Sequence, residues 1–312
     1  MPKPKGELSD NTLKTYQAVI NGIRREIGLP KDEDDSGRWI VSNWAKILKA
    51  IDGSPSIHTK KNRASVLSVW CNMHSLPDKY GEQLQMIMAE LANEVADQYS
   101  TNKMSEKQEA NWLTIDELRE IVKKLEMKLP RLIDTYGEYK QLISYLIILI
   151  HLDYPLRNDL ACAKIHLAKD MPDKQDKDIN YLSIGEKKVT LYLNDYKTEK
   201  EYGQKIIEFN EEVSREIMKY YPVIKQLSPK GWFVRDRDDD DKCISRTTLT
   251  KWINSAFADT GKKVSTTQIR RSVISSVYKP VEGEQKKKED LAYVAGHSTR
   301  TAGSVYAKTE KK

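Results

Sequence analysis

The chain has 312 residues, with 52 Lys plus Arg against 46 Asp plus Glu, a net charge of +6 and an isoelectric point of about 8.9. Hydrophobic residues make up 39% and mean hydropathy is −0.66, a composition that supports packed cores and, at about 150 residues per domain, two of them. The apolar run Leu146–Ile150, inside the stretch Leu142 to Leu156, is far below the roughly 20 residues of a membrane helix, and Met1 to Glu7 lacks a signal-peptide core, so no span and no secretion are expected.

The first hundred residues read as helices. Ser9 and Thr12 offer caps ahead of the stripe Leu13, Tyr16, Ile20 and Ile23, and Gly28-Leu-Pro30 ends it. A second helix is expected from about Arg38 to Ile51, a third from about His58 to Ser75 and a fourth from Asp78 to Gln98. Residues 99–110 are polar and nearly free of bulky apolar side chains, which marks a linker between domains at 1–98 and 111–312. Helical pattern restarts at Trp112, where Thr114 and Glu117 have capping-box spacing. The helix from about Glu138 to Leu152 is apolar nearly all round and so predicted to be buried.

After Met171 the period changes. Tyr181–Ile184, Val189–Leu193 and Lys205–Phe209 are short β-prone runs, separated by 185–188 and by 197–203, which predicts a small antiparallel sheet of two hairpins. Helices resume at Glu212–Tyr220, Ser245–Phe257, Thr266–Tyr278 and Asp290–Ala295, with Lys286 to Lys288 read as either a solvated loop or a backbone contact. Asp238 to Asp241 reads as a solvated turn. Cys71, Cys162 and Cys243 are odd in number and far apart, which suits reduced thiols in an intracellular protein, and neither they nor the five histidines have metal-ligand spacing.

The C-terminal region carries a constellation. Arg157 lies in Tyr154-Pro-Leu-Arg-Asn-Asp-Leu160, after the buried helix, and Lys197 lies in the second hairpin loop, with Lys200 a competitor there. An arginine pair, Arg270 and Arg271, follows in Thr266-Thr-Gln-Ile-Arg-Arg271, and Gly296-His297 stands nine residues before Tyr306. Taken singly, each has a plainer reading: surface ion pairs for the arginines, a capping histidine, one tyrosine among 16. Together they form one ordered set: Arg, hairpin Lys, Arg, Gly-His, Tyr.

In that order the segment Trp112 to Lys308 resembles the tyrosine recombinase (phage-type integrase) family. The helical N-terminal region, with Ser9, Thr12 and Tyr16, resembles its SAM-like core-binding domain. Tyr-Pro-Leu-Arg-Asn-Asp is also similar to integrases of large DNA viruses and their satellite viruses, which would make viral genome integration the setting. The resemblance implies a mainly α fold with a small antiparallel sheet and a site of Arg157, Lys197, Arg270, His297 and Tyr306. Asp159 and Thr267 would be supporting residues. Asp159 falls one place earlier than the family's acidic residue, and Thr267 stands where the family has the histidine of H-x-x-R. It further implies strand cleavage through a covalent 3′-phosphotyrosine, no metal, no cofactor, an intracellular place of action, and a homotetramer clamped on duplex DNA at a specific site. Only six residues follow Tyr306, less than the family's C-terminal docking helix.

The chemistry is intelligible from the residue types. A phenol can attack phosphorus, two guanidiniums can hold the non-bridging oxygens, an imidazole can donate a further hydrogen bond, and an ammonium can protonate the departing 5′-oxygen. Lys14, Arg24 and Arg25 in the first helix, and Lys60, Lys61 and Arg63 in the third, are the expected phosphate-contacting face. Two other readings fit the same motif: a type IB topoisomerase, and a DNA-binding protein of the same fold with impaired catalysis, for which Thr267 is the support.

Overall fold

The computed structural model describes residue 8 and residues 10–30, 37–100, 103–278, 285–296 and 298–307, so the cap expected at Ser9 lies outside it. The chain divides into two compact units, 1–101 and 102–312, each with its own core. Among the described residues no helix is long and apolar enough to cross a membrane.

The first unit is helical: α1 (Asp10–Glu26), α2 (Arg38–Ser42), α3 (Trp44–Asp52), α4 (Ile57–Met73) and α5 (Asp78–Ser100). Ser56 caps α4 by accepting a bond from the Thr59 amide. The expected second helix is broken at Asn43, whose side-chain amide bonds the Trp39 carbonyl. Ile20, Ile23, Ile40, Ile47, Leu67, Trp70 and Leu84 form the core, the face that the apolar spacing of these helices specifies. Full burial of such a side chain contributes about 1.5–3 kcal/mol.

The second unit opens with α6 (Glu106–Ala110), a helical turn with a Ser105–Gln108 capping box. The stretch 99–110 is therefore partly helical, because polar side chains that cannot build a core still cap short turns. α7 (Ile115–Met127) starts at the Thr114–Glu117 box and α8 (Tyr136–Asp153) at a Thr135–Glu138 box. Leu142 to Leu152 of α8 is buried throughout, and α7, α10 (Glu211–Leu227), α11 (Arg246–Ala256) and α12 (Thr266–Tyr278) pack around it. The short α9 (Glu199–Tyr202) and α13 (Gln285–Ala295) complete the helices that matter for the site. Lys286 to Lys288 lie in α13 rather than in a loop.

The sheet differs from expectation. It has four strands in the order β1 (Ala163–Leu167), β2 (Asn180–Ile184), β3 (Val189–Leu193) and β4 (Lys205–Glu208). β2–β3 and β3–β4 are the antiparallel hairpins, but β1 pairs parallel to β2 with Ala163 opposite Asn180, so the sheet is mixed. Ala-Lys-Ile-His-Leu has little intrinsic strand preference. It is a strand because its two edges are bonded, to β2 and to the 231–233 segment through Ile165 N to Gly231 O and Phe233 N to Ala163 O. Cys162 and Cys243, expected as thiols, form a disulfide with Cα atoms 5.2 Å apart; their separation of 81 residues hid that proximity.

Candidate active site

Arg157 follows the end of α8, where Pro155 breaks the helix. The turn is held from several sides. Asn158 Nδ2 donates to Arg246 O and Thr250 Oγ1 of α11, each at 2.8 Å, and its Oδ1 accepts from Thr266 Oγ1 of α12 at 2.6 Å. Asn180, fully buried at the start of β2, donates to Asp159 O at 2.8 Å and to Asp195 O at 3.0 Å. Its Oδ1 accepts from the amides of Asn194 and Asp195. One asparagine thus ties the arginine turn to the base of the β3–β4 hairpin.

Beneath the turn lies His151, fully buried, with Nδ1 donating to Ile147 O at 2.7 Å. Burial holds its pKa down to about 4, with the Arg270 charge acting in the same direction. It is neutral at physiological pH. Asp159 is buried, its pKa raised by burial against the pull of Arg246, Arg157 and Arg270, and Arg246 Nη2 stands 3.8 Å from its carboxylate.

α12 brings the second arginine. Its inward face carries Thr266, Arg270 and Ile274 at helical spacing, so Arg270 is 2% exposed while Arg271 is half-buried and Thr267 exposed. Arg270 Nη2 donates to Ala295 O, the last carbonyl of α13, at 2.8 Å. Burial, with Arg157 adding repulsion, lowers its pKa to about 10, which leaves it charged at neutral pH. Its guanidinium lies 5.2 Å over the ring of Tyr306, which is half-buried on a π-helical turn, Ala302–Tyr306. Ser275 Oγ, five residues on from Arg270, donates to Tyr306 O at 3.2 Å, and the tyrosine ring packs with Ile274, Ala292 and Ala295.

The lysines of the hairpin separate. Lys197 and Lys200 are exposed in the 194–204 loop, which Tyr196 closes by donating to Gly203 O at 2.6 Å, with Gly203 at φ +66°. Lys205, the first residue of β4, is 1% exposed. Its Nζ donates to Tyr293 O of α13 and lies within 5.2 Å of the ring centres of Tyr196, Tyr202 and Tyr293. Its pKa is lowered by burial and by Arg157. Sequence reasoning missed Lys205. Lys-Ile-Ile-Glu-Phe209 sets two isoleucines side by side, so its pattern does not show which face is inward, and the buried position of a lysine, where a charge is costly, emerges only in the fold.

The structure therefore brings Arg157, Asp159, Arg270 and Tyr306 to one region, adds Lys205 and Asn180, and leaves Lys197 and Thr267 exposed at the surface. His297 lies outside the described residues. Three neighbouring cations around one buried carboxylate are an expensive interior, and the arrangement is suited to an anion, whose charge would offset that cost.

In the first unit, Lys14 and Arg25 are exposed and Lys61 is half-buried. Lys60 pairs with Asp52 at 2.8 Å. Arg24 corrects the expectation: it is 5% exposed, stacked 4.9 Å over Trp39 and bonded to Pro30 O, because the turn after α1 folds back over it. Arg63 is likewise structural, bridging Ala50 O and Glu26, each at 2.7 Å.

No family model and no curated protein sequence matches the chain. Among solved structures, it is similar to XerA recombinase, at 14% identity and a TM-score of 0.42, over 97% of this chain and 89% of that one. It is also similar to XerH site-specific recombinase bound to difH substrate in a pre-cleavage complex, at 13% identity and a TM-score of 0.44, over 100% of this chain and 96% of that one.

Proposed function

We propose that the chain is a tyrosine recombinase that cleaves and rejoins duplex DNA through a covalent 3′-phosphotyrosine. The observation that carries the reading is the stacking of the buried Arg270 guanidinium over Tyr306, in a region that also gathers Arg157 and Lys205. Tyr306 gives up its phenolic proton to solvent, its oxygen bonds to the scissile phosphorus, and the bond from phosphorus to the 5′-oxygen breaks. Arg157 and Arg270 hold the two non-bridging oxygens and stabilise the charge that builds on them. His297 donates a further hydrogen bond to the phosphate. Lys197, on the exposed hairpin loop, gives its proton to the 5′-oxygen. The phosphotyrosine conserves the energy of the broken bond, so the 5′-hydroxyl of a second strand can attack it and exchange strands.

Asp159 balances the arginines electrostatically, its carboxylate feeling the charges of Arg246, Arg157 and Arg270 directly. The expected partners are double-stranded DNA with a defined site and further copies of the chain in a synaptic tetramer. The core-binding role belongs to the first unit, with Lys14, Arg25, Lys60 and Lys61 as its phosphate contacts.

The test is a nicked suicide duplex followed by denaturing electrophoresis. Wild type should form a covalent adduct, and Tyr306→Phe, which removes the nucleophilic oxygen alone, should form none while retaining DNA affinity. A persistent adduct in Tyr306→Phe would overturn the assignment. Relaxation of supercoiled plasmid lacking any recombination site would favour a type IB topoisomerase instead.

A further inference from the structure

Three donors meet where Gly296 has no side chain. The position a Cβ would take there is 3.1 Å from Arg157 Nη1, 3.3 Å from Thr198 Oγ1 and 3.7 Å from Lys205 Nζ. Gly296 is buried and at φ +69°, a conformation that suits glycine and keeps this space free of a side chain. Two of the donors are cations. The third, the Thr198 hydroxyl, is buried and has no hydrogen-bond partner among the described residues. Neither cation can accept its proton, because guanidinium and ammonium groups only donate. Asp159, the buried carboxylate of the region, faces Arg246 at 3.8 Å. An oxygen that carries negative charge is the ligand that satisfies all three donors together.

We propose that Thr198, with Arg157 and Lys205, forms an oxyanion seat for a non-bridging oxygen of a DNA phosphodiester, which makes Thr198 a catalytic residue of strand cleavage. The inference rests on the recombinase reading and names a phosphate ligand which that reading lacks. Thr198 supplies the neutral donor that the exposed Thr267 does not bring into the cluster. Lys205, anchored on Tyr293 O and enclosed by Tyr196, Tyr202 and Tyr293, fixes one wall of the seat. Because Thr198 follows Lys197 directly, one loop both grips the phosphate and carries the proton donor for its leaving group.

The test compares the full chain with Thr198→Val, which replaces the hydroxyl by a methyl group of similar size, and with Thr198→Ser, which keeps the hydroxyl. Two readouts are taken: the rise in melting temperature produced by inorganic phosphate, and the rate of adduct formation on the nicked duplex. Thr198→Val should lose the phosphate response and slow adduct formation by ~10²-fold, the scale of one lost oxyanion donor, and Thr198→Ser should recover most of both. A valine variant with wild-type phosphate response and rate overturns the seat and leaves strand cleavage standing. Equal losses in valine and serine variants make the effect steric and also overturn it. A phosphate response lost in the valine variant and kept in the serine variant, in a chain that forms no adduct on any duplex, upholds the seat and overturns the recombinase reading.

Discussion

Arg270 and Arg271 are adjacent, chemically identical and differently placed. Arg270 points inward, bonds the last carbonyl of α13 and stacks on Tyr306; Arg271 is half-buried on the neighbouring face. On the proposed mechanism Arg270→Ala should slow single-turnover cleavage by ~10²–10³-fold, and Arg157→Ala likewise, while Arg271→Ala costs far less. A larger loss in Arg271→Ala would put the wrong arginine on the phosphate. His151 makes a separate prediction about pH. Its folded pKa of about 4 lies below the ordinary 6.5, so between those values the unfolded chain binds a proton that the folded chain refuses. The stability it contributes is complete above pH 6.5 and falls as pH drops toward 4, by about 3 kcal/mol in total. Urea melts of wild type and His151→Phe across that range should show a shallower pH slope in the variant. Parallel slopes would show that other groups carry the dependence.

At the scale of elements, the β3–β4 hairpin divides its lysines between two jobs. Lys205 is locked in the strand and Lys197 is exposed in the loop, so only the latter can follow a substrate oxygen without disturbing packing. If Lys197 protonates the 5′-oxygen, Lys197→Ala should cleave ordinary DNA slowly and recover on a substrate with sulfur in place of that oxygen, since a thiolate leaves without protonation. Arg270→Ala should not recover, because its defect lies in phosphate stabilisation. Lys200→Ala is the control from the same loop. Its rescue in place of Lys197→Ala would move the acid along the hairpin, and rescue of neither would remove the lysine from the mechanism.

For the whole molecule, each of the two units has a hydrophobic core of its own, as a segment able to fold alone must have. The fragment 102–312, which retains all of the core built on α8, should therefore show a cooperative melt. On the proposed reading it should also bind duplex DNA more weakly and with a shallower dependence on salt, because the exposed cations Lys14 and Arg25 are gone together with Lys60 and Lys61. Affinity measured against salt concentration checks this. An unchanged slope would take the first unit out of DNA binding.

Much of this protein was legible in local pattern. The helices, the cap at Thr114, the buried α8 and the two hairpins follow from apolar spacing and cap chemistry, which act over a few residues. The order Arg157, Arg270, Tyr306 was also visible as a motif. What only tertiary structure decided were relations between distant segments. β1 is a strand because of its neighbours, Cys162 meets Cys243 across 81 residues, and Asn180 joins the arginine turn to the hairpin. Arg24 and Arg63 look like surface cations until the helices pack over them. Lys205 and Thr198 were hidden for the same reason. A lysine at the head of a strand and a threonine in a turn carry no local sign of burial, and the fold alone brings both to Arg157 and the bare face of Gly296.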